Sequence, residues 1–582
     1  MEQRKEEPRR YWWKKLEKLE GFSASVFLVL SILTFAVLFG LSFVLSGENS
    51  LDIMEETVYI VRDSIWGNLL GIGIFLALGV GIIRCFQRYG KSWNRRYILS
   101  VILAGMTVAS ILWVWMSKTM PQADQKVVCD FAHAFNQGDY SGLAWGGYVA
   151  KCPHQLGLIT WIRVIFKLFG ENNYHAFQYV SACLVPVLVY SGDRFVRKLA
   201  ELKLTKRKIS MAKVDAAQAD TVKDAENQEE MSPTRFVTEE IFYLLLILSC
   251  VPLYLYVPFV YGEISSTAFA MLSAWMFLEC LDHLTIGNGI GLALSTGAAV
   301  MLRQNTVMLL IGYLLVAVIK WISTRKKQML LVGCCVLAGL LLFQGILKGF
   351  YQKHRPEDAQ AIPAILYVAM GTHETDLGAG WFDGYNFLTF EGQGCDREKA
   401  EAVAKADLRE FAYKIKTEPS YGVDFYFRKF VTQWSTPMYQ GLSMNNCLEA
   451  ERPRLAESVY FGRLRTVIDR WMNWYQLALY GGVLALLLSA CPKGDRRKRK
   501  SLDGYSLLIG IFGGILFTML WEGKSRYVFP YLLLLVPYAA AGLSDLARRL
   551  DDRIFLEKGN AEYERRNENK ESSGDNEDGT VK

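Results

Sequence analysis

The residues best suited to chemistry are a few charged side chains placed where long apolar runs give way to polar sequence. The first is Asp124, in Pro121-Gln122-Ala123-Asp124. Read as a helix, residues 121–138 put Val127, Val128, Phe131 and Phe135 on one apolar stripe, with Asp124 projecting into its middle. Asp130 and His133 fall on the opposite side, and Asp130 and Asp139 read as solvent-facing or turn residues. A carboxylate on a membrane-facing stripe is costly unless it serves a site. The same position also suits a helix N-cap, and spacing leaves both readings open.

A second acid, Glu263, follows Tyr261-Gly262 at the end of an apolar run, where a cap or an interfacial residue would also stand. Arg303 interrupts an otherwise continuous apolar stretch, and Arg526 and Tyr527 follow Trp521 in the same way. Such arginines either snorkel to headgroups or grip a lipid phosphate through the planar guanidinium fork. Both readings put phosphate at that face. His154 reads as an interfacial residue, a phosphate donor or a residue of no special role. A metal needs convergent ligands that spacing does not reveal, so a divalent metal is left open and no cofactor is assigned. The chain has no P-loop, no GxGxxG in a βαβ setting, no CxxC pair and no HExxH, which removes nucleotide, zinc and redox chemistry.

The elements that must position these residues are membrane spans. The 582 residues are 51% hydrophobic, and apolar runs recur at about 18–24 residues, the length that crosses a bilayer core. The net charge of +7 comes from Lys and Arg clustered beside those runs, the pattern that orients membrane helices. The partner implied is therefore the bilayer, and nucleic acid is excluded. The run 22–45 is too long for a signal-peptide core. Twelve spans satisfy every basic cluster: 22–45, 65–86, 97–116, 173–191, 239–258, 264–281, 286–302, 306–322, 328–347, 473–491, 505–521 and 527–546. Both termini then lie in the cytoplasm, and Asp124, Glu263, Arg303 and Arg526 share the outer face of the plasma membrane. Residues 154–169 are apolar enough to mimic a span, but a crossing there would expose the basic segment 192–235. They are expected to lie flat on the membrane, with Gln155, Ile159, Arg163 and Lys167 recurring every four residues as a narrow polar stripe.

The expected fold is an all-α polytopic membrane protein of about twelve transmembrane helices, with juxtamembrane helices in the first large external loop. Residues 1–96 form a cytoplasmic segment and two extra spans. Residues 97–347 form the catalytic membrane core, with external loop 117–173 and a cytoplasmic linker at 192–235 whose 215–230 portion reads as flexible. Residues 348–472 form a mixed external region with helices near 397–415 and 421–434. Residues 473–546 hold the last spans, and 547–582 read as a disordered cytoplasmic tail. Four of the eleven cysteines are external: Cys129, Cys152, Cys395 and Cys447. Two local disulfides or four free thiols are both consistent with their spacing.

The order of features resembles the GT-C fold membrane glycosyltransferases, in particular the bacterial branch of family 39, the protein mannosyltransferases and the aminoarabinose-transferase-like enzymes. The matching residues are Asp124 after a span; Gly138-Asp139-Tyr140, Gly146-Gly147-Tyr148, 153–157 and 166–170; Pro258 with Tyr261-Gly262-Glu263; Leu302-Arg303-Gln304-Asn305; and Glu522-x-x-x-Arg526-Tyr527 with Pro530. The match runs from about residue 97 to 546 and is carried by the order of motifs. Two departures stand out: an Asp124-Gln125 pair in place of Asp-Glu, and Cys152-Pro153-His154 in place of a Lys/Tyr-Pro-Pro element.

The resemblance implies transfer of a sugar from a polyprenyl-phosphate donor to an external acceptor, whether protein, wall polymer or glycolipid. In that scheme Asp124 is the base, with Glu263 as a second catalytic acid. Arg303, Arg526, Tyr527 and His154 meet the donor phosphate. Tyr148, Trp381 and Tyr385 contact sugar or acceptor, with aromatic packing as the alternative for the last two. The competing classes are a transporter of lipid-linked saccharides and a non-catalytic cell-envelope assembly factor.

Overall fold

Backbone groups inside a bilayer must be satisfied within their own segment, and the apolar runs of this chain form helices. The computed structural model describes residues 18–51, 56–215, 236–446, 451–491 and 501–574. Setting single turns aside, the first helices are α1 (Leu19–Val44), α2 (Ile65–Tyr89), α3 (Arg95–Ser117), α4 (Asp124–Asn136), α5 (Leu156–Phe169) and α6 (Tyr174–Asp215). They are followed by α7 (Thr238–Leu248), α8 (Val251–Leu255), α9 (Glu263–Asp282), α10 (Ile286–Leu302), α11 (Val307–Thr324) and α12 (Lys327–Tyr351). The polar region carries α13 (Ala364–Met370), α14 (Tyr385–Gly392), α15 (Arg397–Thr417), α16 (Pro419–Trp434) and α17 (Arg454–Tyr460). The chain closes with α18 (Arg463–Ser489), α19 (Ser506–Leu520) and α20 (Phe529–Gly574).

Among the described residues, eight helices are long and apolar enough to cross a membrane, in place of the twelve spans expected. The other four differ for physical reasons. The expected span 239–258 is broken into α7 and α8 at Pro252, which offers no N–H to continue a helix. Helix α10 is apolar but only 17 residues long. Helix α18 starts at Arg463 and carries polar residues through its first turns. Helix α6 does not stop at 191. It runs on to Asp215, because the charges assigned to a solvated linker are partly buried. Arg95 pairs with Asp193 and, at 2.9 Å, with Glu240, while Arg197 reaches Glu240 at 3.2 Å. That ionic cluster and Asp124 lie at opposite ends of α3.

Two further expectations change, and one unassigned loop gains structure. The tail expected to be disordered from 547 is helical to Gly574. The loop between the first two spans is an antiparallel hairpin, β1 (Leu45–Asn49) on β2 (Val58–Arg62), in register from Leu45 opposite Arg62 to Asn49 opposite Val58. Residues 348–472, expected to form a mixed external region, are mainly helical, and among the described residues their extended pairing is limited to a bridge between Trp381 and Gly523. Helices α18 and α20 cross at glycines: a Cβ on Gly542 would lie 1.8 Å from the Gly482 carbonyl oxygen. The N-terminal basic cluster up to Lys15, the acidic part of the linker beyond 215, the basic run 493–500 and Cys447 lie outside the described residues.

Candidate active site

Helix α4 begins at Asp124 itself, and the cap position is Ala123, whose φ is 45°. The N-cap reading of Asp124 therefore fails: its carboxylate holds none of the first-turn N–H groups and accepts instead from Arg526 Nη2 at 3.0 Å. Its neighbour Gln125 explains why an amide stands where the resembling families carry a second acid. Gln125 is buried, its Nε2 donates to the Met444 carbonyl at 3.3 Å, and its Oε1 accepts from the Val260 backbone N–H at 2.8 Å. A carboxylate could make only the second bond. Gln125 thus ties α4 to two other segments and aims Asp124.

Three cations converge on that acid. Arg526 and Arg303 flank the Tyr261 ring, with guanidinium carbons 5.2 and 4.8 Å from its centre, and both also lie over Tyr527. Lys524 completes the group. Burial pushes the Asp124 carboxyl upward, but Arg526, Lys524 and Arg303 outweigh it and hold the group below the usual carboxylate range. The carboxylate is hemmed in by protein, yet 44% of its side chain stays accessible because it faces a cavity.

That cavity holds about 900 Å³. Its lining combines polar Asp124, Arg303, Lys524, Arg526 and Tyr527 with apolar Leu302, Val307, Met308 and Phe517, which stand at or near the ends of α10, α11 and α19. Tyr148 lines it too, in a stack of near-parallel rings with Phe131 at 5.6 Å and Phe387 at 6.2 Å. Tyr367 on Trp521, 5.1 Å apart, forms another aromatic wall. Helix α5, about 21 Å long at 14 residues, is too short to cross a bilayer core of about 30 Å. It crosses the end of α10 so closely that a Cβ on Gly157 would sit 1.9 Å from the Met301 carbonyl oxygen. Its expected polar stripe is only partly solvated: Lys167 is exposed, while Arg163 bonds Asn136, Tyr351, Tyr140 and the Phe135 carbonyl.

The other expected site residues separate clearly. Glu263 is 1% exposed and lies outside the cavity lining, behind Arg303, whose Nη2 it meets at 3.1 Å. It can orient a cation but cannot touch a ligand. His154 lines the cavity, but burial, then Arg303, lower its pKa to about 4, so it is a neutral imidazole rather than a cationic phosphate ligand. Trp381 is fully buried and donates to Thr432 Oγ1 at 3.2 Å, and Tyr385 is engaged with Asp407 outside the lining. Neither offers a face to a sugar in the cavity; Phe382 and Asn386 of the same patch do line it. Of the two readings left open for the external cysteines, the described ones follow the free-thiol reading: Cys129, Cys152 and Cys395 are separate buried thiols.

Sequence reasoning missed Glu522, Lys524 and Glu56 as lining residues. Glu522 is the acid of the Glu-x-x-x-Arg-Tyr motif; its Oε1 accepts from Tyr527 at 2.8 Å and its Oε2 is buried without a partner. Burial raises its carboxyl above the usual range, against the pull of Lys524. Lys524 lies within the same motif. Glu56 carried no signal, since it stands in a loop between extra spans. Among the described residues no three His, Cys, Asp or Glu side chains gather as metal ligands. With Asp124 engaged by a guanidinium and faced by two further cations, the donor set does not fit a divalent metal.

No family model matches the chain, and no curated protein matches it. The chain is similar to solved structures of the Archaeoglobus fulgidus oligosaccharyltransferase. The apo form is 13% identical, with a TM-score of 0.40, over 80% of this chain and 52% of that one. The form tethered to an acceptor peptide is 12% identical, with a TM-score of 0.38, over 78% and 50%. The complex with an inhibitory peptide and a dolichol-phosphate is 12% identical, with a TM-score of 0.38, over 80% and 52%. This chain thus spans about half the length of those proteins.

Proposed function

We propose that this cavity is the active site of a glycosyltransferase that moves a sugar from a polyprenyl-phosphate donor to an acceptor on the outer face of the plasma membrane. The observation that carries the reading is one ionised carboxylate, Asp124, set among three cations, Arg526, Lys524 and Arg303, in a cavity that also has apolar side chains in its lining. A polyprenyl-phosphate sugar has a matching division: an isoprenoid chain for the surface of Leu302, Val307, Met308 and Phe517, an anionic phosphate for the cations, and a sugar for the aromatic walls around Tyr148.

In the step proposed, the acceptor oxygen forms a bond to the anomeric carbon while the bond from that carbon to the phosphate oxygen breaks. The electron pair leaves with the polyprenyl phosphate, and the proton of the acceptor hydroxyl passes to Asp124. Arg526, Lys524 and Arg303 sit where the phosphate gains charge, which is the stabilisation that lowers such a barrier most. Asp124 stays ionised at neutral pH and is a weak base, so it takes the proton only as the acceptor bond forms. The acceptor's chemical class is a hydroxyl or another protonated nucleophile.

The test compares surface glycans of cells lacking the protein and complemented with wild type or with Asp124→Asn at equal membrane abundance. A glycan lost on deletion, restored by wild type and not by Asp124→Asn is the expected result. Unchanged glycans on deletion, or full restoration by Asp124→Asn, would sink the assignment.

A further inference from the structure

The two helices that precede the glycosyltransferase-like core reach the cavity through one acid. Glu56 stands just before β2 with a φ of 44°, lines the cavity, and pairs with Lys524. The hairpin that carries it is anchored to the polar region. The Gly47 N–H donates to the Ser435 carbonyl at 2.8 Å, the Val58 N–H to the Leu377 carbonyl at 3.1 Å, and Ser42 meets Ser435 through their hydroxyls at 3.1 Å. Lys524 is itself almost enclosed, its side chain 6% exposed, so Glu56 is not a passing surface partner.

The three cations around Asp124 are therefore balanced in different ways. Arg303 has Glu263 behind it, outside the cavity, which leaves its cavity side free. Arg526 holds the proposed base. Lys524 is held by an acid that shares the cavity with any ligand. We propose that Glu56 competes with phosphate oxygens for Lys524 and so selects against a doubly charged phosphate.

This rests on the phosphate-binding reading above. The donor's phosphate is a diester with one negative charge, whereas the product lipid is a monoester that carries close to two at neutral pH. A fixed carboxylate on Lys524 repels a dianion about twice as strongly as a monoanion at the same distance, and the N-terminal hairpin thereby favours release of the product over loss of the donor.

The experiment measures binding of farnesyl monophosphate and, separately, inorganic phosphate to the full-length protein in detergent, by calorimetry, with melting temperature as the check on folding. Glu56→Gln keeps the shape and an acceptor for Lys524 but removes the charge. It is expected to tighten farnesyl monophosphate at least about tenfold, the scale of one partly buried charge contact. Glu56→Asp should stay near wild type, and Glu56→Gln should give no tightening in a Lys524→Met background. Tightening of both probes assigns the effect to the phosphate alone; tightening of the farnesyl ester only assigns it to a lipid-anchored headgroup. Unchanged or weaker binding in Glu56→Gln, with farnesyl monophosphate binding wild type, overturns the role of Glu56 and leaves the transferase standing. Binding to neither protein overturns both.

Discussion

Asp124 and Arg526 lie 402 positions apart in the chain and meet at 3.0 Å, the acid from the first residue of α4 and the guanidinium from the turn before α20. The contact joins the proposed proton acceptor to the proposed anchor of the leaving group, and Arg526 leads the cations that hold Asp124 below the usual carboxylate range. Arg526→Met should leave Asp124 ionised, because Lys524 and Arg303 still face it. The loss should fall on turnover: about 10²- to 10³-fold in kcat, the usual effect of removing one charge-stabilising donor. Steady-state assay with a polyprenyl-phosphate sugar checks this, and an unchanged kcat with only a raised KM would place Arg526 in donor binding alone.

Gln125 next to Asp124 gives a sharper test of why the pair is not Asp-Glu. Gln125→Glu keeps the bond from the Val260 N–H but puts a carboxylate oxygen against the Met444 carbonyl, two acceptors facing each other in a buried place. The variant should lose about 1–3 kcal/mol of stability, seen as a lower melting temperature. If the family pattern mattered more than this strut, Gln125→Glu would instead fold normally and gain activity.

The sequence made the helical layout legible because apolar length and basic clusters report directly on membrane crossing. Helices α15 and α16 appeared within a few residues of their expected limits, and Asp124, Arg303, Arg526 and Tyr148 do meet in one cavity. What stayed hidden depends on partners distant in the chain. Asp193 and Arg197 read as charges of a cytoplasmic linker because nothing local shows that Arg95 pairs with the first and Glu240 with the second. Trp381 looked like a sugar platform because a Gly/aromatic patch does not show which ring faces inward. Glu56 gave no sign, since its role comes from where the hairpin is anchored rather than from its neighbours in sequence.

Glu263 tests the difference between touching a ligand and holding a residue that does. It is buried behind Arg303, so Glu263→Gln should leave the guanidinium without its counter-ion and free to shift. A loss of stability on the scale of a broken buried pair, about 3 kcal/mol, is expected. The donor KM should rise roughly tenfold while kcat falls much less than in Arg526→Met. A collapse of kcat with KM unchanged would return Glu263 to direct catalysis.

Lys429 ties the cavity wall together and supplies a pH signature. It is fully buried on α16, and its amine donates to the Gly371 carbonyl and, at 2.7 Å, to the Trp521 carbonyl, next to the Trp521 and Tyr367 stack. Burial lowers its pKa from 10.5 to about 7, against the opposing pull of Glu522. In the unfolded chain the amine keeps its proton up to about pH 10.5, so between about 7 and 10.5 the unfolded state binds a proton that the folded state does not. The contribution of Lys429 to stability therefore rises with pH across that window and is flat below it. A neutral amine still has two N–H groups for its two carbonyls, so the hydrogen bonds survive the loss of charge. Lys429→Met should leave both carbonyls unpaired at about 1–3 kcal/mol each and, at the same time, remove the rise. Melting temperatures of wild type and variant at pH 7, 8.5 and 10 decide the point. Parallel curves would mean that Lys429 keeps its proton when folded, held by Glu522 more strongly than burial opposes it.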